Sequence, residues 1–90
     1  MDLKQKLKNE GFTHVYEWDD APNTEYPSHA HKGKVSFYVT YGHVTVSIRD
    51  KDILVKEGQR LDVPVGIEHT AKVGPQGCTF IVGEEIKGDS

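Results

Sequence analysis

Cysteine is nearly absent: Cys78 stands alone, so no internal disulfide can staple the chain. A lone thiol fits a reducing compartment, and a cytoplasmic setting is expected. Long apolar runs are missing as well, which excludes a membrane-spanning helix. The opening stretch, Met1-Asp2-Leu3-Lys4-Gln5-Lys6-Leu7-Lys8, is polar and alternates in charge, unlike a secretory leader. Nor is there an excess of positive charge. Eleven Lys and Arg stand against fourteen Asp and Glu, for a net charge of -3, and no basic patch points to nucleic acid.

What the chain has is punctuation. Nine glycines and four prolines divide 90 residues of which 36% are hydrophobic, a composition that suits one small domain over residues 1–90. Asp2, Leu3, Leu7 and Gly11 predict a short helix over about 2–10, with Asp2 as its cap, Leu3 and Leu7 on one face and Gly11 as its stop. So short a helix is marginal alone and must dock on a sheet.

From Phe12 the pattern is β, over about residues 12–86. Phe12–Trp18 is rich in aromatic and β-branched residues, 19–24 reads as a loop, and Glu25–Ala30 reads as a strand. Val35, Phe37 and Val39 alternate in the strongest strand. Gly42 is expected to turn the chain into a return strand marked by Val44, Val46 and Ile48. Asp50-Lys51-Asp52 predicts a hairpin into Ile53-Leu54-Val55. Leu61, Val63, Val65 and Ile67 share a parity that ends at His69, interrupted by Pro64 and Gly66. Gly74-Pro75-Gln76-Gly77 predicts a turn before a final apolar strand, Cys78–Val82, and 86–90 a loose tail. Many short strands with no helix between them predict an all-β antiparallel barrel or sandwich.

Ser28-His29-Ala30-His31 is the chemically informative stretch. Residues two apart on a strand share a face, so His29 and His31 aim into one space, and His69 is a third imidazole on a matching parity. Three neutral nitrogen donors with open positions suit a divalent transition metal such as zinc, nickel, ferrous iron or copper. Without a partnering pattern, such histidines would be surface or polar-core residues. His14, which has no partner in sequence, and His43, which follows the hairpin glycine, are expected to be solvated. Glu25, four residues before His29, shares its face if the strand is regular and is a candidate fourth ligand; the alternative is an exposed edge charge. Tyr26, Val35, Phe37 and Trp18 are candidates for the pocket wall, against plain core packing, which is favoured for Phe37. Arg49 and Arg60 are candidates to meet an anionic ligand, exposure being the commoner case. Glu68 is expected to point away from His69. Cys78, a candidate soft ligand or reactive thiol, is expected instead to be a small buried hydrophobe.

The two histidine segments together resemble the motifs of the cupin superfamily. Ser28-His29-Ala30-His31 with Gly42 matches the first, and Gly58, Pro64, Gly66 and His69 match the second at every spacing. The resemblance covers residues 23–73. It implies a small jelly-roll (double-stranded β-helix) barrel with the metal on His29, His31 and His69. The family's glutamate position is Val35, its closing asparagine is Val73 and its opening glycine is Asn23. Losing the glutamate removes a carboxylate ligand, so three imidazoles leave the ion's charge uncompensated and favour a small anionic ligand. Three-histidine sites in cupin-like dioxygenases make metal-dependent oxygen chemistry one expectation. A non-catalytic small-molecule-binding module is the alternative, and a homodimer is expected for a barrel of this size.

Overall fold

The computed structural model describes residues 2–85; the expected tail at 86–90 lies outside them. The chain runs α1 (Leu3–Asn9), β1 (His14–Asp20), β2 (Glu25–His29), β3 (Val35–Ile48), β4 (Lys51–Lys56), β5 (Arg60–Val63) and β6 (His69–Glu84). All strand pairings are antiparallel, and the architecture is the all-β jelly roll.

Two long strands carry it. The first half of β3 lies between β5 and the second half of β6, which also pairs with β1. The second half of β3 lies between β4 and the first half of β6, which also pairs with β2. Each long strand therefore passes from one four-stranded sheet into the other. Inward side chains of both sheets meet in one core that includes Phe37, Val39, Val44, Val46, Val73 and Phe80. The Phe37 and Phe80 rings meet edge to face at 5.3 Å.

Gly42 does not reverse the chain. It stays in the ladder opposite Cys78, at irregularities that move the inward parity of β3 from Val39 to Val44. Gly74–Gly77 does not end a strand either. These four residues of β6 lie opposite His43 alone, between the pairs Gly42↔Cys78 and Val44↔Val73. The turn chemistry is thus spent on a wide bulge, and the ladder resumes beyond it. The β3–β4 hairpin turns on Arg49 and Asp50, one residue earlier than the pattern suggests, with φ of 51° and 64°. Positive φ at both central positions is the turn whose twist matches a hairpin.

The short helix forms where predicted. The Asp2 carboxylate accepts from the Gln5 amide at 2.7 Å, and Leu7 is fully buried. Leu7 packs on Tyr38 and Ile81, the outward face of the first sheet, with Leu3, Phe12 and Val15 around it. Arg60 fixes the helix end and is not the exposed arginine expected. Its guanidinium donates to both Glu10 carboxylate oxygens at 2.6 and 2.8 Å, to the Tyr38 hydroxyl at 3.0 Å and to Asp62 at 2.8 Å.

Gly42 has φ +75°, and a Cβ there would run into the carbonyl oxygen of Gly77. Gly58 has φ +82° with open space around it. Gly42→Ala is expected to cost about 3 kcal/mol, from left-handed strain plus the clash, and Gly58→Ala only about 1 kcal/mol. Urea unfolding of the two variants measures the difference.

Candidate metal centre

His29 ends β2 and His69 begins β6, and the two are directly paired across the ladder. His31 follows in the connection to β3. Its carbonyl accepts the amide of Gly66 at 2.9 Å, which ties the Pro64–Glu68 loop to the histidine segment. Gly66 sits at φ +73°, a backbone state that glycine adopts without strain. Ring centroids are 4.9 Å apart for His29 and His31, 4.3 Å for His29 and His69, and 5.2 Å for His31 and His69. One nitrogen from each lies within 4.8 Å of the other two.

Two of the rings have their protons placed by the backbone. His29 Nδ1 lies 2.7 Å from the Pro27 carbonyl and His69 Nδ1 3.0 Å from the Ile67 carbonyl. A carbonyl only accepts, so each Nδ1 carries the proton and donates. Each Nε2 is left with a free lone pair, the state a metal ligand needs. His69 is 6% exposed, the others half-buried. The donor set fits a borderline divalent transition metal: three neutral imidazoles, two of them oriented by outer hydrogen bonds, closing one side of a site and leaving the other side open.

The open side faces a cavity of about 510 Å³ between the two sheets. Tyr16, Trp18, Tyr26, Phe37 and Phe80 supply aromatic wall, and valines from β3, β5 and β6 supply much of the rest. Tyr26 and Phe37 thus line the space with the histidines, Phe37 also being part of the core. Val35 lines it too, as an apolar side chain. Trp18 lines the cavity while 53% exposed, its indole N–H donating to Asp20 at 2.9 Å while the Tyr26 hydroxyl donates to the other oxygen of the same carboxylate at 2.5 Å. Burial first, then Asp20, pushes the Tyr26 phenol up to about 12.

Glu25 is not brought to the imidazoles. Tyr26 pairs with Ala71 and His29 with His69, so β2 holds one more residue than β6 between those pairs. That bulge exchanges faces, putting Tyr26 in the cavity and leaving Glu25 exposed on a separate groove. His43 is also not solvated as expected: it is half-buried, with its ring over Gly74. His14 is exposed, yet it stands on the cavity rim with its ring 4.8 Å from that of Tyr16. Cys78 is the small buried hydrophobe expected, its thiol pushed up to about 12 by burial and by Asp20.

One residue escapes the sequence reading. Glu84, half-buried, lines the same cavity and faces the Tyr16 phenol, which burial and then the Glu84 charge and hydrogen bond push up to about 12. A signal existed: Cys78, Phe80, Val82 and Glu84 continue one alternating inward set.

With the geometry in place, comparison with known proteins assigns the class. The cupin domain model of the Cupin_2 family matches residues 16–82, and the chain belongs to that family. Among solved structures, a cupin-2 domain protein of Shewanella frigidimarina is 22% identical, with 80% of this chain and 69% of that one covered and a TM-score of 0.70. The cupin domain of Schizosaccharomyces pombe Cnp3 is 16% identical over 87% of this chain and 55% of that one, with a TM-score of 0.74. Bacillus subtilis oxalate decarboxylase, a protein with Mn(II) centres, is 21% identical over 84% of this chain and 22% of that one, with a TM-score of 0.69. Among curated sequences, structural maintenance of chromosomes protein 5 of Arabidopsis thaliana is 30% identical over 84 residues. The match covers 93% of this chain, which spans 8% of that protein's length.

The His31 imidazole is held below its ordinary value of 6.5, first by burial and then by the neighbouring imidazoles. The unfolded chain therefore takes up that proton more readily than the folded one, so this contribution to stability is full above about pH 6.5 and declines as the pH falls further. The urea midpoint of the metal-free protein is expected to drop between about pH 7.5 and about pH 5.5, and His31→Asn to make the drop shallower. A midpoint that rises on acidification contradicts this.

Proposed function

We propose that this cupin holds a divalent transition metal on His29, His31 and His69 and uses the open positions to bind a small, singly charged anion with an apolar body. The observation that carries the reading is the paired orientation of His29 and His69, whose Nδ1 protons are tied to backbone carbonyls so that both Nε2 lone pairs are free beside His31. The cavity in front of them supports the ligand class. No lysine or arginine is among the described residues that line it, so a polyanion would find no cation there except the metal. Aromatic and valine side chains instead favour an apolar or aromatic body, excluding water from around the bound group.

When bound, the metal supplies Lewis-acid polarisation of a ligand oxygen or, as iron, activation of dioxygen. The chain's own residues do the rest. The backbone carbonyls of Pro27 and Ile67 fix two ring tautomers, the Gly66–His31 bond fixes the loop over the site, and the aromatic wall orients the ligand body. Trp18, an exposed part of the lining, offers its indole for stacking on a planar group.

Protein purified without a histidine tag and loaded with zinc is expected to retain about one equivalent. His31→Ala should retain less than about a tenth of that with an unchanged far-UV CD spectrum, because the site caps the barrel and is not its core. Full zinc retention by the variant would overturn the assignment. The zinc-loaded wild type is also expected to bind benzoate more tightly than oxalate in calorimetry, and the reverse order would overturn the ligand class.

A further inference from the structure

We propose that Glu84 supplies, from the end of β6, the negative charge that three neutral imidazoles leave missing from the metal site. This rests on the metal reading above and adds a fourth residue to it. The register places the residue. Glu84 is paired with Val35 of β3 on one side and His14 of β1 on the other, and Val35 is paired in turn with Val63 of β5. Directly opposed residues of a ladder point to the same face, and all four line the histidine cavity. A carboxylate at position 35 would enter that cavity; in this chain the carboxylate enters it one strand over.

Charge makes the placement meaningful. Glu84 is the one carboxylate among the described residues that line the cavity, and no lysine or arginine there neutralises it. A half-buried anion facing mostly apolar walls is costly unless something compensates it. The partner found at its side is the neutral Tyr16 phenol, which orients the carboxylate without cancelling its charge. The carboxylate's oxygens are not among the donor atoms that cluster within 4.8 Å of one another, so it acts as a neighbour beyond the three nitrogen ligands. A divalent ion with one carboxylate nearby keeps a single excess positive charge. That balance is closed by a monoanion, in accord with the ligand class proposed for the cavity.

The test is the zinc affinity of the intact chain, read by competition with a chromophoric chelator, for the wild type, Glu84→Gln, Glu84→Val and the double variant Glu84→Val/Val35→Glu. Far-UV CD and a thermal midpoint accompany each protein. Glu84→Gln and Glu84→Val are expected to bind zinc about ten- to a hundredfold more weakly. The double variant, with the charge moved across the ladder, should recover to within about threefold of the wild type. Single variants that bind as tightly as the wild type overturn the proposal. So does a double variant as weak as Glu84→Val alone, because the loss would then come from packing and not charge. Should Glu84→Gln fail to fold, the comparison of Glu84→Val with the double variant decides. A wild type that takes up no zinc overturns the histidine reading itself, which a loss confined to the Glu84 variants does not touch.

Discussion

The whole molecule depends on the close approach of two glycine backbones, Gly42 of β3 and Gly77 of β6, where both long strands cross from one sheet to the other. A side chain at Gly42 would run into the Gly77 carbonyl, so β3 can pass this near β6 only with glycine at that position. Because β3 and β6 bend together there, each contributes inward residues to both halves of the barrel. The two sheets then face one another across a single core instead of lying side by side. Everything that positions the site follows. The first half of β6 carries His69 beside β2 and His29, and its second half carries Glu84 beside β1 and Val35.

At the site, much of the ordering is done by main chain. Carbonyls two residues before His29 and His69 set those rings, and a glycine amide sets the His31 segment. Such partners need no particular side chain, so they survive changes in sequence that would abolish a side-chain network. The aromatic wall, by contrast, is built from side chains on β1, β2, β3 and β6, and there this chain can tune what enters. The donor cluster is thus set largely by backbone geometry and the lining in front of it by side chains, so the two can vary independently.

The fold and the three imidazoles were legible in the sequence because both rest on spacing. Alternation marked Val35–Val39 and Val44–Ile48, and the intervals within His29-Ala30-His31 and Gly58–His69 carried the family pattern. What misled was irregularity. Gly42 and Gly74–Gly77 are turn formers, and local propensity cannot tell a chain reversal from a bulge inside a continuing strand. The extra residue of β2 between Tyr26 and His29 likewise exchanged the roles of Glu25 and Tyr26. Glu84 followed a regular alternation from Cys78, but its neighbours Val35 and His14 come from strands far away in sequence. A pairing register, and not a pattern, joins them. Arg60 looked like an ordinary surface charge for the same reason: Glu10 lies 50 positions away.

Cys78 sits in the core beside the crossing of the two long strands, its thiol far above the range in which it would ionise in neutral water. Thiolate is the form that reacts, so in the closed barrel this sulfur is chemically silent. It speaks only when the sheets part and water reaches the interior. A single alkylatable atom placed there turns the barrel's breathing into a clock: the rate at which an electrophile marks it counts the openings of the joint itself.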